Sequence, residues 1–382
     1  MTVGVMGTAL ISPLYGIYKE TWGLRPSDVT LTYVVYMLGA LFSLLALGRL
    51  PDKLNHLHLL VAAVLLSTIG TFLSMVANSL LLLVLARFLV GIAASIATTA
   101  GAAALRNQVS EEKKAEVPLI LSVLLAAGFG IGPLLGGLIG QFANDPLVVA
   151  YWPSLACGPI AVLGLMLFVT ERERSPALPS LHFGDFIPKL TLPEHGKRLS
   201  FLLLCGAPLM GFIAFGFYVS MAPLFVEVIL HMTGPLVSGA SITAILVLSL
   251  LVQLMVQRVR PQVTIPLGVV ALALSNAAIM FNLEMNSTPI FVAGVGLTAF
   301  GHACVMLGSM QQLSQRATPQ NLAGLTSTYL VIGYLGSVIG SLGLGWLADH
   351  VGVGAAVFMF GGIVIAICVL LTALNILYRE TS

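Results

Sequence analysis

One ten-residue stretch decides the fold class: Gly128-Phe129-Gly130-Ile131-Gly132-Pro133-Leu134-Leu135-Gly136-Gly137. It lies inside an apolar run from Val117 to Gly140. In water, a glycine costs a helix about 1 kcal/mol and an internal proline about 3 kcal/mol. In a bilayer, glycines let helix backbones approach closely, and neighbouring helices satisfy the carbonyl that a proline frees. The stretch therefore predicts a transmembrane helix that bends at Pro133. It either slides against a neighbouring helix or packs on it along a static glycine seam.

The composition of the chain excludes a water-soluble fold. Of its 382 residues, 58% are hydrophobic and 8% are charged, and the mean hydropathy is +1.02. A soluble domain carries about a quarter charged residues. The sequence therefore predicts an all-α polytopic membrane protein whose surroundings are the lipid bilayer.

The sequence lacks the signatures of catalysis and of bound cofactors. The four cysteines lie in apolar runs without paired spacing, which predicts neither a disulfide framework nor a metal site. The chain has no phosphate-cradling glycine loop, nucleophile triad or nucleotide-binding domain. We therefore expect no enzyme activity, no cofactor, no nucleic-acid partner and no use of ATP, which leaves coupling to an ion gradient.

The apolar runs predict twelve membrane spans, each about long enough to cross the hydrocarbon core. The first run is interpreted as a short span, not a signal peptide, because no basic residues precede it and more spans follow; its shortness suggests that residues precede Met1. In chain order, spans one to twelve are Val3–Tyr18, Val29–Leu47, Leu57–Val76, Leu80–Leu105, Val117–Gly140, Val148–Val169, Leu199–Phe225, Leu236–Val256, Val263–Leu283, Ile290–Leu313, Leu322–Leu347 and Gly354–Leu377.

Basic residues predict the orientation of these spans. With both termini in the cytoplasm, Lys19 and Arg25 fall outside and Arg87 falls within a span, and all other lysines and arginines fall inside. Such an asymmetry indicates the cytoplasmic side, and the expected location is a bacterial inner membrane. The inside residues are Arg49, Lys53, Arg106, Lys113, Lys114, Arg172, Arg174, Lys189, Lys197, Arg198, Arg258, Arg260, Arg316 and Arg379.

The spans divide into two halves that resemble each other. A polar, proline-containing linker, residues 170–198, separates a first half, residues 1–169, from a second half, residues 199–382. Two spacings recur in the same span order, which predicts a parallel repeat of two pseudo-symmetric six-helix bundles with a substrate site between them near the midplane. The recurring pairs are Gly91 and Arg106 with Gly301 and Arg316, and Gly132 and Gly136 with Gly336 and Gly340.

Three motifs resemble those of the major facilitator superfamily. The loop Gly48-Arg49-Leu50-Pro51-Asp52-Lys53 resembles the family's G-x-L-x-D-[RK] loop, although Asn55-His56-Leu57 follows where the family carries a glycine and two basic residues. Arg87-Phe88-Leu89-Val90-Gly91 resembles R-x-x-x-G. The stretch Gly128–Gly137 resembles the G-x-x-x-G-P-x-x-G-G of the antiporter branch, drug–proton antiporters in particular. The acid that many of these antiporters carry in span one is absent here.

The resemblance implies a twelve-helix fold whose halves rock between inward-open and outward-open states. Spans one, four, seven and ten would line the cavity, and spans two, five, eight and eleven would form the sliding interface. Asp52, at the Gly-x-x-x-Asp spacing from Gly48, would act as a charge latch to the start of a neighbouring helix; the alternative is a solvated loop acid. We expect the protein to act as a monomer. The residues expected to serve the motion are Gly48, Asp52, Gly128, Gly132, Pro133, Gly136, Gly137, Gly336 and Gly340.

Arg87 is an ionisable residue well inside a span, and such residues are functional candidates by default. Gly91, Ala94, Thr98 and Gly101 share its helix face, which suits either a cavity wall or a tight helix contact. Arg87 either orients an anionic group and tunes a neighbour's pKa, or it binds backbone carbonyls of span one and fixes helix geometry.

His302 is the other ionisable residue well inside a span, and it shares a face with Met306 and Ser309, with Met310 at the edge. One hypothesis makes His302 the proton-coupling group in place of the missing acid. A second makes the histidine and methionines a soft-metal ladder for Cu(I), although we expect no metal site. A third is a neutral histidine bonded to a facing helix, with methionines as adaptable lining.

Span seven carries Met210, Phe217 and Met221 on one face. A methionine and phenylalanine surface can repack around varied apolar ligands, but it also suits ordinary helix packing or lipid contact. The substrate and coupling candidates are thus Arg87, Thr98, Met210, Phe217, Met221, His302 and Met306.

The leading functional prediction is proton-coupled efflux of small apolar or amphipathic compounds by alternating access. The runner-up is a symporter or facilitator that imports a specific solute such as a metabolite, a siderophore or copper. A receptor or scaffold on a transporter fold is a third possibility, which no large soluble domain in the sequence supports.

Overall fold

The computed structural model describes residues 1–48, 50–110, 117–168, 190–194, 198–230, 234–318 and 321–381. These residues form helices and short connections without a β-strand, which confirms the all-α prediction. Most of the predicted linker, and Arg49, Lys113, Lys114, Arg172, Arg174, Lys189 and Lys197 among the predicted inside residues, lie outside the described residues.

Twelve spans are present, and among the described residues eleven are helices long and apolar enough to cross a membrane. Short helices Leu50–Lys53 and Pro146–Val149 lie between spans. Span one comprises Thr2–Ala9, a 3₁₀ turn at Ser12–Leu14 and Tyr15–Trp22; the others are Pro26–Phe42 with a π-helical turn at Ser43–Leu47, His56–Met75, Leu80–Gln108, Val117–Phe142, Trp152–Phe168, Arg198–Ser220 followed by Ala222–Leu230, Leu236–Val256, Pro261–Met285, Thr288–Arg316, Leu322–Val351 and Val353–Thr381.

Two of the predicted continuous spans are interrupted. In span one, Pro13 has no N–H for the carbonyl of Ala9, and the helix changes to a 3₁₀ turn at that point. In span seven, Pro223 removes the bond to the carbonyl of Val219, and the helix breaks at Met221. Both interruptions lie in spans that the sequence predicts to line the cavity, and each is caused by a proline that the run of hydrophobicity did not reveal.

Glycines set the closest helix crossings inside each half. A side chain at Gly91 in span four would overlap the carbonyl oxygen of Tyr36 in span two. In the second half, Gly268 of span nine and Gly301 of span ten face each other, and a Cβ on either would lie 2.9 Å from the carbonyl oxygen of the other. Close backbone approach of this kind is how helices associate in lipid, where no hydrophobic force draws them together.

The halves join through spans two and eleven and through spans five and eight. We call the outer end the end of the bundle that holds Trp22, Asp145, Gly234 and Gly352, because the basic residues predict that it faces outside. From this end to mid-depth, hydrogen bonds between described residues connect the halves. They run from the Ser27 amide to Asp349 Oδ1 at 3.0 Å, between Tyr33 and Ser337 at 2.9 Å, and from Thr243 Oγ1 to the Gly130 carbonyl at 2.8 Å. The bundle is therefore closed at its outer end.

Candidate functional site

Arg87 lies at the centre of the first half and is 2% exposed. Its Nη1 donates to the carbonyl oxygen of Gly7 at 3.1 Å, and its Nη2 donates to that of Thr8. Its guanidinium carbon lies 5.1 Å from the centre of the Tyr36 ring, within cation–π range. These two carbonyls end the first helical segment of span one, where a cation stabilises the negative end of a helix. These contacts correspond to the second interpretation of Arg87, in which it binds backbone carbonyls of span one. Contact of Arg87 with an anion stays a prediction.

The small residues beside Arg87 form a tight helix contact at Gly91 rather than an open wall. Gly91 packs against the backbone of span two, and Gly101 faces the side chain of Met1. Thr98 is partly buried, and its Oγ1 donates to the carbonyl of Ala94 at 2.7 Å within its own helix. A substrate contact by Thr98 stays a prediction.

All five tyrosines of the first half are buried: Tyr15, Tyr18, Tyr33, Tyr36 and Tyr151. Tyr15 and Tyr18 are each 1% exposed, which makes them interior residues and not interfacial anchors. The hydroxyls of Tyr18 and Tyr151 share a hydrogen bond of 2.9 Å, and Tyr33 pairs with Ser337 across the halves. The spacing of Tyr33 and Tyr36 with Met37 on one helix face was the signal that could have found them.

His302 lies in span ten with its ring partly buried against spans seven and eight. Its Nδ1 lies 2.9 Å from the Oγ of Ser249, and Gln253 Nε2 donates to the same Oγ at 3.3 Å. The ring centre of Phe215 lies 5.8 Å away. This is the geometry of a histidine bonded to a facing helix. The chain Gln253–Ser249–His302 also fixes the orientation that a proton-carrying imidazole would need.

The methionines near His302 have different surroundings, which weakens the metal-ladder hypothesis. Met306 Sδ lies 4.0 Å from the hydroxyl of Tyr329. Met310 is 39% exposed and lines a cleft with Arg258 and Arg260 near the end of the bundle opposite the outer end. Among the described residues, no three histidine, cysteine or acidic side chains form a group that could hold a metal ion.

The predicted face of span seven is buried. Met210 and Met221 have no exposed surface, and Phe217 is 6% exposed. The Phe217 ring stacks on Phe360 of span twelve at 6.2 Å and meets Phe225 edge-on at 6.0 Å. Phe217 therefore packs inside the second half in this conformation, and ligand contact by this face stays a prediction.

The glycines of the stretch Gly128–Gly137 divide between two neighbouring helices. A side chain at Gly128 would overlap Val5, one at Gly132 would overlap the Met6 carbonyl, and one at Gly136 would overlap the Leu10 carbonyl. All three partners lie in span one of the same half. Gly137 instead faces span eight of the other half, where its Cβ would lie 3.3 Å from Gly239 and 2.9 Å from the Pro235 carbonyl oxygen. The carbonyl of Pro133 also faces Gly239.

The matching glycines of span eleven follow the same division. Gly336 meets Leu209 of span seven, and a Cβ at Gly340 would lie 3.4 Å from Ile213 of the same span. The recurring glycine pairs thus seat span five on span one and span eleven on span seven, each within one half. Gly130, Pro133 and Gly137 of the stretch face span eight of the other half, and the role of all these residues in motion stays a prediction.

The described residues include only part of the predicted latch. Gly48 is exposed at the end of the π-helical turn Ser43–Leu47. Asp52 lies in the short helix Leu50–Lys53, but its side chain, like the whole of Arg49, lies outside the described residues. The latch therefore stays a prediction.

Sequence reasoning missed a polar cavity at the outer end. A cavity of about 310 Å³ opens where spans one and five meet spans seven and eight, and its walls include Glu20, Glu227 and Gln141. Burial raises the pKa of the Glu227 carboxyl above its ordinary value, and a hydrogen bond with Glu20 and that residue's negative charge raise it further. Lys19 opposes this shift. The only signal in the sequence was the position of Glu227 just beyond the apolar part of span seven.

The family model described as "Major Facilitator Superfamily" matches residues 1–283 and 236–381. The chain belongs to this superfamily. Its arrangement of helices agrees with that of solved structures. One is a bacterial homologue of the human lysosomal transporter Spinster in an inward-facing and occupied conformation. The two superimpose with a TM-score of 0.77 at 16% identity, over 100% of this chain and 95% of that one. A transporter of the POT family in complex with 5-aminolevulinic acid gives 0.77 at 12% identity over 97% and 93%. At these identities the likeness shows the fold alone.

Curated members of the superfamily resemble this chain over part of its length. Chloramphenicol resistance protein CraA of Acinetobacter baumannii is 27% identical over 217 residues, 55% of this chain and 51% of that protein. The riboflavin transporter RibZ of Clostridioides difficile is 24% identical over 51% and 39%. Putative multidrug resistance protein MdtD of Escherichia coli O139:H28 is 24% identical over 56% and 46%. The chain spans about half the length of the curated relatives it matches.

Proposed function

We propose that this superfamily member is a secondary active transporter that exports small apolar or amphipathic compounds in exchange for protons. The observation that carries the proposal is the closure of the outer end by contacts between the two halves, from Ser27–Asp349 to Thr243–Gly130. A bundle closed at one end by bonds between its halves is one of the two states that alternating access requires.

Partly exposed side chains at mid-depth support a cavity between the halves. Phe212, Phe215, His302, Met306 and Tyr334 all keep part of their surface exposed, although the outer end is closed. Aromatic and thioether groups can repack around varied apolar compounds. Relatives named for chloramphenicol and multidrug resistance support export and this class of cargo.

His302 is the residue proposed to carry the proton. Besides Arg87, it is the ionisable side chain well inside the predicted spans, and it is held by Ser249. A ligand or proton shifts the rocking equilibrium only by its different affinity for the two states. His302 meets this condition when the exposure of its partly exposed ring to the space between the halves changes as they rock.

The test measures proton movement in everted membrane vesicles acidified inside, with chloramphenicol as the probe compound. Addition of the probe is expected to release protons from the lumen and to concentrate the probe there. His302→Ala is expected to abolish this coupled movement and to spare downhill exchange. His350→Ala is the matched control, because His350 is exposed at the outer end of span eleven.

The second candidate is uptake of a metabolite, which the likeness to a riboflavin transporter favours. The same vesicles separate the two directions. Movement of probe and protons in the same direction would overturn export, and unchanged coupling in His302→Ala would remove His302 from the mechanism. Riboflavin in place of chloramphenicol tests the metabolite class directly.

A further inference from the structure

Two carboxylates from opposite halves meet at the outer end. Glu20 lies in the last turn of span one of the first half, and Glu227 lies on the outer helix of span seven in the second half, Ala222–Leu230. Both line the same cavity of about 310 Å³, and their carboxyl groups are within hydrogen-bond reach of each other. Two carboxyl oxygens can share a hydrogen bond only when one of them carries a proton.

The backbone around the pair lets acids from opposite halves meet in this closed arrangement. Glu227 Oε2 lies 3.3 Å from the position of a Cβ at Gly16, so the absence of a side chain there admits the carboxylate against span one. Gly234, with φ of +101°, covers the cavity against the side chain of Gln141. Separation of the halves would therefore separate the two acids and return both to water.

The other groups around the pair are few. Among the described residues, Lys19 of span one is the cation whose charge acts on Glu227. Span five contributes the neutral Gln141 and span eight the neutral Ser238. Span twelve also packs on the helix Ala222–Leu230, which holds Glu227. Its outer turns, from Val353 to Phe360, contain no ionisable residue. Among the described residues of these elements, the sequence offers no second cation near the pair.

We propose that Glu20 and Glu227 form a proton-operated outer gate, in which one proton shared between them holds the outer end closed. The inference rests on the alternating access of the proposed function and identifies the gate that responds to external acidity. Glu20 is exposed, so this proton exchanges with water at the outer end.

The sign of the pH response follows from the closed-state environment. The pKa of Glu227 is raised above 4.5 in the closed state, while in the open state the acid regains its ordinary value in water. Protonation therefore stabilises the closed state relative to the open one. This stabilisation is complete below the ordinary pKa and is lost as the pH rises through the raised one. Acid outside closes the gate, and loss of the proton leaves two adjacent negative charges that favour opening.

The test follows the distance between spin labels at the outer end, in nanodiscs and without any cargo. Labels at Asn144→Cys and Met285→Cys, in a background with the four native cysteines replaced by serine, report on loops of opposite halves. From a pH well below the ordinary pKa of a glutamate to about pH 8, the closed-to-open ratio is expected to fall about tenfold for each unit by which the pKa is raised.

Variants separate the pair from other acids at the same end. Glu227→Gln and Glu20→Gln are expected to hold the ratio nearly constant with pH, whereas Glu227→Asp retains the response. Glu284→Gln is the matched control, because Glu284 is exposed at the outer end of span nine. A wild-type protein without a pH response, or an undiminished response in both glutamine variants, would overturn the gate.

The label distances also separate this inference from the proposed function, because they need no transport. A pH-dependent gate in a protein that moves no probe supports the gate and contradicts the transport proposal. Coupled transport in a protein whose outer end does not respond to pH supports the transport proposal and contradicts the gate.

Discussion

Arg87 donates from its guanidinium to the carbonyl oxygen of Gly7 at 3.1 Å, and this bond joins span four to span one at the point where span one breaks. The neighbouring carbonyl of Thr8 accepts from the same side chain. Both carbonyls lie before the proline-induced interruption, where the regular helical donors are missing or displaced. One side chain thus stabilises a broken helix inside an apolar bundle.

Arg87→Ala is expected to lower the free energy of unfolding by about 3 kcal/mol, because two buried carbonyls lose a charged donor. Unfolding by sodium dodecyl sulphate titration, followed by tryptophan fluorescence, measures the loss. Arg106→Ala, at the exposed end of the same span, is the control and is expected to change little. Equal stability of the two variants would remove the structural role assigned to Arg87.

Gly132→Ala is expected to destabilise the protein by about 1–3 kcal/mol, because its Cβ would overlap the Met6 carbonyl, and overpacking costs energy of this order. Gly130→Ala is the matched control on the same helix. Its Cβ would lie 3.6 Å from the Thr243 side chain, an ordinary contact. The unfolding titration compares them, and a Gly132→Ala protein as stable as Gly130→Ala would contradict the seam between spans one and five.

Gly137→Ala is expected to act on the conformation of the halves, because Gly137 faces span eight across the interface. The added methyl group would lie 2.9 Å from the Pro235 carbonyl oxygen and would favour separation at the outer end. The spin-label distance of the outer end measures this shift. Gly136→Ala, which faces span one of the same half, is the comparison and should reduce stability without opening the outer end.

Tyr33→Phe is expected to decrease the closed-to-open ratio of the outer end about fivefold, because it removes a buried hydrogen bond of about 1 kcal/mol between the halves. Ser337→Ala should act in the same direction, and the double variant should cost less than the sum of the two. Tyr18→Phe breaks a bond to Tyr151 within one half and is the control. An equal shift in Tyr18→Phe would show that the Tyr33–Ser337 bond does not hold the gate.

Much of the fold could be predicted from the sequence because the bilayer fixes the length and composition of each span. Ten of the twelve apolar runs correspond to uninterrupted spans close to their structural bounds, and the glycine repeat indicated the relation between spans five and eleven. The interruptions at Ser12–Leu14 and Met221 were missed because hydropathy does not report the hydrogen bond that Pro13 or Pro223 removes. The effect of a proline on helical hydrogen bonds is known from the residue type alone, but the hydropathy averaged over each run does not show it.

The candidate site was predicted less completely. Arg87 and His302 stood out because an ionisable side chain is costly inside a membrane. Periodicity placed Phe217 and the methionines of span seven on one face, but it could not say that the Phe217 ring packs on Phe360. Gly128–Gly137 was identified as a contact surface, while its division between span one and span eight was not visible.

By itself, the sequence determined a twelve-span membrane protein, the span positions and the scarce ionisable residues within them. These follow from the cost of placing polar groups and free backbone in hydrocarbon, which acts on each segment separately. Only the tertiary structure decided that Arg87 binds the carbonyls of Gly7 and Thr8, that Gly137 meets Gly239, and that Glu20 meets Glu227. Those pairs join residues far apart in the chain. Their contacts depend on how whole helices pack and on which end of the bundle is closed, and helix periodicity assigns a residue to a face without naming its neighbour.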